Sequence, residues 1–292
     1  MTEFGQYLGN GLTLGAIYAL MAVGLTLVFG FMNVVNFAHG EFYMIGAYLA
    51  YTVSNLMALP FATGLIAAVL GAVALGLLIE WLVLRPLRDH DDIAMPILAT
   101  IGISILLQNL AIIIWNPVPK TAEAPFSSSS IDLIVMRTTP RNIFIAVTAA
   151  LVVLAAHLFI TRTRAGLDMR ATFQDPMASW LMGVNVRRVH AMTFAIGAVM
   201  AAISGVLIAT VFQITPTMGA LATPKSFVVV ILGGLGSFPG AILGGLLLGL
   251  VESLGAGYGS TGYKDAFGLL VLVAVLLIRP QGLFGARKVV QE

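Results

Sequence analysis

The chain contains no cysteine and little charge: Lys, Arg, Asp and Glu together make up 10% of its 292 residues. The first absence excludes disulfides and thiolate-held metals, and it leaves the redox compartment unreadable. The second excludes a soluble domain, which at this size keeps about a quarter of its residues charged. No GxxxxGK[ST] stretch occurs, so no Walker loop cradles nucleotide phosphates here. HExxH and GxSxG are missing too, and the few acids and histidines make no metal set, which argues against an intramembrane enzyme. The opening "MTEFGQYLGN" lacks the basic region of a cleavable signal, so the first span is expected to serve as its own insertion signal. The formal net charge of +2 does not point to nucleic acid, because the basic residues are scattered among loops.

What is abundant is apolar residue, 59% of the chain, with a mean hydropathy of +0.99. Most apolar runs approach or exceed the length that spans roughly 30 Å of hydrocarbon as a helix. They show no alternation of period two, so helices rather than a barrel must satisfy the backbone. The expected class is an all-α polytopic membrane protein with about eight crossings, forming a single membrane domain over 1–292. Candidate spans are 11–32, 41–59, 61–84, 93–115, 142–161, 190–213, a glycine-rich pair near 226–236 and 239–254, and 264–279.

Orientation follows from Lys and Arg in the short loops. The 161–190 loop carries Arg162, Arg164, Arg170, Arg187 and Arg188, which places it in the cytoplasm. Alternating outward from it, "RPLRDHDD" (85–92) is cytoplasmic, while the N-terminus and the 116–142 loop are extracytoplasmic. The stretch 226–252 reads either as one span or as a hairpin broken at Gly236–Pro239. The broken form is preferred, because it brings Arg279, Arg287 and Lys288 inside. A weak internal repeat supports this: "GEF" at 40–42 matches "GSF" at 236–238, and "LRP" at 84–86 matches "IRP" at 278–280, which puts both pairs on the cytoplasmic side.

Two stretches stand out. "VVNFAHGEFYMIGAY" (34–48) reads as a cytoplasmic-side break between the first two helices, with Asn36 to His39 turning the chain and Glu41 in the next first turn, where the dipole favours a carboxylate. The same residues, Asn36, His39, Gly40 and Glu41, are gate or pathway candidates, since polar groups at membrane depth are costly. Gln108 and Asn109, deep in the fourth span, join them. Within 161–190, "DPMASWLMG" has a helix start and stop, with Asp175 at the N-cap, Pro176 at the first position and Gly183 after the end. Between them Met177, Ala178, Trp180, Leu181 and Met182 form an apolar knob, suited to docking a partner or to lying in the lipid interface. Gly236, Gly240, Gly244, Gly245 and Gly249, like Gly197, Ala201 and Gly205, have the small-xxx-small spacing of close helix packing. Glu80 and Glu252 read as span-end acids and His157 as locally hydrogen-bonded.

Taken together, "GLTLVFGFMNVVNFAHGEFYMIGAY" (24–48), "GLDMRATFQDPMASWLMGVNVRRVHAMTFAIGAVMAAISGVL" (166–207), "GGLGSFPGAILGG" (233–245) and "RPQGLFG" (279–285) resemble, in order, the signatures of the branched-chain amino-acid ABC importer permeases, shorter H-type. The resemblance implies the ABC importer permease fold and translocation of branched-chain or other hydrophobic amino acids delivered by a periplasmic binding protein. It implies a second related permease, as a heterodimer or a homodimer, and two cytoplasmic ATPase subunits that hold ATP and Mg. This chain would bind no cofactor and catalyse nothing itself. It would lie in the bacterial inner membrane, with its N-terminus outside and its C-terminus in the cytoplasm. The resemblance assigns the 166–183 loop to ATPase contact, with Arg170, Asp175, Pro176, Met177, Ala178, Trp180, Leu181, Met182 and Gly183 as the coupling residues. Family members usually carry a glutamate and a second alanine there; Met177 and Ser179 interrupt that pattern, which puts a salt bridge in question and leaves docking to Trp180, Leu181 and Met182. Urea or short amides remain alternative cargoes. An ion-coupled carrier is disfavoured because the acids read as lying at span ends.

Overall fold

A computed structural model describes residues 2–32, 34–87, 94–122, 131–132 and 137–285. Arg287, Lys288, most of the 85–92 loop and the middle of the 116–142 loop lie outside the described residues. Helices follow one another almost without interruption: α1 (Thr2–Met32), α2 (His39–Tyr51), α3 (Phe61–Ile79), α4 (Arg85–Leu87), α5 (Ala94–Trp115), α6 (Pro140–Arg162), α7 (Arg164–Gln174), α8 (Pro176–Leu181), α9 (Val186–Ala209), α10 (Met218–Gly233), α11 (Phe238–Tyr258) and α12 (Lys264–Ile278). Single π turns, Thr52–Leu56 and Glu80–Leu84, extend α2 and α3. The strands β1 (Ile131–Asp132) and β2 (Arg137–Thr138) form one short antiparallel ladder. Seven helices are long and apolar enough to cross a membrane, and Met218–Gly233 is a shorter apolar helix. With α2 these make nine apolar helices among the described residues, one for each candidate span and in keeping with the about eight crossings expected.

Glycine explains how so many helices share one core. In α1 and α11, which run antiparallel, a Cβ on Gly245 would strike the backbone of Ala19, and one on Gly249 the backbone of Gly15. In α9, a Cβ on Gly205 would collide with the Tyr43 backbone of α2. Such approach lets backbones pack by dispersion where lipid supplies no hydrophobic drive. Gly240 and Gly244 bring α11 onto α10 in the same way. Gly236 is the exception among the five glycines expected to pack: a Cβ there meets nothing within 4 Å, and φ +80 gives it a turn role instead. The 226–252 stretch is a hairpin, with Gly234 at φ +104 closing α10 and Ser237 capping α11 through Gly240 N.

The two ends of the bundle differ in charge. Phe31 stacks edge-on against Phe173 at 5.6 Å. Leu283 N and Phe284 N donate to Leu232 O and Gly233 O. Trp81, Arg85 and Pro86 share a groove with Trp180 and Arg187. These contacts gather Arg85, Arg162, Arg164, Arg170, Arg187, Arg188 and Arg279 at one end. The opposite end holds the pairing of Lys120 with Ile214, the bond from Arg141 Nη1 to Thr210 O and the Tyr7–Tyr258 ring pair at 5.5 Å. The first described helix therefore starts at one end and residues 279–285 lie at the other.

Candidate functional site

The break after α1 is deeper than the sequence suggests. His39 Nε2 lies 3.0 Å from Met21 O, Gly40 N donates to Thr223 Oγ1 at 3.1 Å, and Ser104 Oγ donates to Glu41 Oε1 at 2.8 Å. Met21, Ser104 and Thr223 each stand ten or eleven residues from the arginine-rich ends of their helices, about 15 Å at 1.5 Å per residue. Helix α2 therefore begins about halfway along the bundle, not at its arginine-rich end as expected. The physical reason is its neighbours: the hydroxyls of Thr100 on α5 and Thr223 on α10 bond the exposed backbone of Val35, Phe37 and Gly40, which lipid could not do. The "GEF"/"GSF" correspondence fails in depth for the same reason, since Gly236 lies beside Gly30 at the arginine-rich end.

This cluster joins most of the residues singled out from sequence. Asn36 Oδ1 accepts from Ala38 N at 3.0 Å and holds the turn. Glu41 is fully buried. Its Oε1 also receives Gln108 Nε2 at 3.4 Å, while its Oε2 has no partner among the described residues. Asn109 stands apart, exposed on α5 and bonded to its own helix at Ile105 O. Thr100 and Thr223, which the sequence reading missed, complete the cluster through Phe37 N and Gly40 N. Thr100, Ser104 and Gln108 recur every four residues on one helix face, a spacing that was there to be read.

At the arginine-rich end the short helix α8 forms as its caps dictate. Asp175 Oδ1 accepts from Met177 N at 2.8 Å and Ala178 N at 2.9 Å, and Gly183 leaves the helix at φ +87. Ser179 is buried, whereas Trp180 is 61%, Leu181 70% and Met182 85% exposed. Met177 and Ala178 are exposed too. Beside the knob runs a groove of about 1110 Å³ bounded by the end of α3 and the start of α9. Arg170 lies on α7, whose Met169 is buried and whose Gly166 leaves no room for a Cβ against the last turn of α6.

A second buried polar group had no counterpart in the sequence reading. Glu252 is 1% exposed and pairs with Lys225 at 3.0 Å and Lys264 at 3.4 Å. Tyr18 OH donates to it at 2.8 Å, and Lys225 also meets Asp265 at 2.8 Å. The expectation of a span-end acid fails because α10 starts at Met218, eight residues earlier than read, which brings Lys225 inside the bundle. Glu80 is likewise buried rather than solvated. The ring of His157 lies on Phe238, with centroids 5.6 Å apart. Glu41 and Glu252 remove the ground on which an ion-coupled carrier was disfavoured; that question falls to kinship.

A bundle of long apolar helices around a buried polar centre defines a polytopic helical membrane protein. Over residues 7–276 the chain matches the family model described as "Branched-chain amino acid transport system / permease component", and it belongs to that family. It is 40% identical to the high-affinity branched-chain amino acid transport system permease protein BraD of Pseudomonas aeruginosa, over 97% of this chain and 96% of that one. LivH of Escherichia coli K12, a permease protein of a system of the same description, is 37% identical over 98% and 97%. LivM of the same organism, also a permease protein, is 29% identical over 93% of this chain and 68% of its own. The solved structure "PsaBC from Streptococcus pneumoniae in complex with Fab" shares the fold, with a TM-score of 0.50 at 13% identity over 93% of this chain and 90% of that one. The chain is thus a transport subunit, kin to permeases rather than to enzymes.

Proposed function

We propose that this chain is the membrane subunit through which an ATP-driven importer passes branched-chain amino acids delivered by a periplasmic binding protein. A second related permease completes the pathway, a heterodimer being favoured by the likeness to both LivH and LivM. ATP and Mg belong to two ATPase subunits. The arginine-rich end faces the cytoplasm by the positive-inside rule, which puts the N-terminus outside and the C-terminus inside.

The observation that carries this reading is the exposed, doubly capped α8 at that end. Closure of the ATPases pushes α8, which continues through Gly183 into α9. Helix α9 is buried along most of its length, and α2 rests on it: a Cβ on Gly46 would meet the Ala202 backbone at 2.6 Å, and one on Gly205 the Tyr43 backbone. A displacement of α8 is therefore passed to the helix that presents His39 and Glu41. The buried cluster of Asn36, His39, Gly40, Glu41 and Gln108 acts as the gate behind the inner part of the pathway wall, and the partner permease supplies the wall's other half.

The test is ATP hydrolysis by the complex of this chain with its ATPase, second permease and binding protein in lipid. Leucine-loaded binding protein is expected to stimulate hydrolysis over the empty protein. Stimulation only by another solute, such as urea, would change the cargo. Failure of the chain to associate with any ATPase would overturn the reading.

A further inference from the structure

The end opposite the arginines contains a cavity of about 430 Å³ between the first half of α1, the start of α6, the end of α9 and the α11–α12 corner. That volume is within the usual range for small-molecule sites, roughly 300–1,000 Å³. Its walls carry both signs of charge, with Arg141 and Lys264 against Glu252, beside apolar Leu14 and Phe212. The groove beside α8 has arginines and no acid in its lining, and the cavity of about 640 Å³ along α1, α6 and α11 has only His157 among apolar residues.

The cations of the smaller cavity are incompletely used. Arg141 gives Nη1 to Thr210 O at 3.0 Å, but its buried Nε has no partner among the described residues. A buried N–H without an acceptor is costly, and the guanidinium fork matches a carboxylate through two parallel bonds. Lys264 lies 3.4 Å from Glu252 and 5.7 Å from the Phe212 ring centre, leaving ammonium protons for a second acceptor. Asn10 Oδ1, which accepts from Asn142 at 3.2 Å, is a further acceptor on the wall.

We propose that this cavity is a station for an α-amino-acid zwitterion. Its carboxylate lies on Arg141 and Lys264, its ammonium on Asn10 Oδ1 with the already paired Glu252 behind it, and its aliphatic side chain packs on Leu14 and Phe212. The proposal rests on the import reading for its place in the cycle, the first stop after release from the binding protein. Glu252 is already held by Lys225, Lys264 and Tyr18, so the groups left for a ligand are the Arg141 N–H and the Asn10 amide oxygen, and a simple anion or amine would meet only one of them.

The absence of cysteine supplies the test. A Val211→Cys chain, assembled with its partners in lipid, is labelled with a small methanethiosulfonate, and its labelling is read on the separated subunit. L-leucine at about ten times its Kd is expected to slow labelling about tenfold by occupancy. Isocaproate, which lacks the ammonium, and isoamylamine, which lacks the carboxylate, are expected to leave the rate unchanged. Lys264→Gln in the same chain is expected to raise the leucine concentration for half-protection about tenfold, roughly one charge-assisted bond. Equal protection by all three compounds, or by none, overturns the station. If leucine-loaded binding protein stimulates ATP hydrolysis while leucine gives no protection, the station falls and the import reading stands. Selective protection without stimulation supports the station and overturns the import reading.

Discussion

Replacing Trp180 and Leu181 together by alanine separates a docking role of α8 from a structural one. Both side chains are mostly exposed, at 61% and 70%, and both anchors of the helix, the Asp175 cap and buried Ser179, are retained. Alanine is also a strong helix former. The stability change is therefore expected to stay within about 0.5 kcal/mol per site. Docking is another matter. A buried aromatic or large apolar anchor at an interface centre contributes about 2 kcal/mol or more on truncation. Two anchors give about 4 kcal/mol, nearly a thousandfold in ATPase affinity at 1.4 kcal/mol per decade. The assay has three arms: thermal unfolding of the purified permease, capture of the ATPase by the permease in lipid discs, and leucine uptake into proteoliposomes. Unchanged unfolding with lost capture and lost uptake is the expected pattern. Wild-type capture and uptake by the double variant would refute the reasoning and leave α8 as a helix resting in the lipid interface.

Two further outcomes follow from the packing. Gly245→Val places methyl groups into the Ala19 backbone; overpacking costs about 1–3 kcal/mol where neighbours can shift, and a helix backbone shifts little, so a large loss of folded yield from membranes is expected. A normal yield would show that α1 and α11 tolerate separation. Glu252→Gln leaves Lys225 and Lys264 facing a neutral amide in a buried site, and removing one partner of a buried pair costs about 3–5 kcal/mol, the lower end applying because Lys225 is partly exposed. Lys225→Met with Glu252→Met is expected to recover more than half of that loss in thermal inactivation; a double variant as unstable as Glu252→Gln would refute the pairing.

Much of this molecule was legible in one dimension because the rules behind those parts are local. Long apolar runs without period-two alternation dictate membrane helices. The pair Asp175–Pro176 and the isolated Gly183 write the start and stop of α8 into nine residues. The charge rule favoured breaking 226–252, and Gly234 at φ +104 turns the chain there. The knob of Trp180, Leu181 and Met182 is exposed as its place between those caps suggested.

Depth and pairing were not legible, because they are relations between helices far apart in the chain. Nothing along residues 34–48 says how far α2 sinks before it starts; Thr100 and Thr223 decide it by bonding a backbone that lipid would leave bare, while Met21 and Ser104 hold the side chains of His39 and Glu41. Glu252 looks like a span-end acid until α10 and α12 bring Lys225 and Lys264 to it. Gly236 and Gly245 share a spacing, yet one turns the chain and the other admits a neighbouring helix. The sequence alone determined the solvent this protein folds in, the family it joins and the helix it offers at its basic end. Only the tertiary structure decided which polar groups meet in its interior, because a buried charge or hydrogen bond is set by three-dimensional proximity and carries no sequence period of its own.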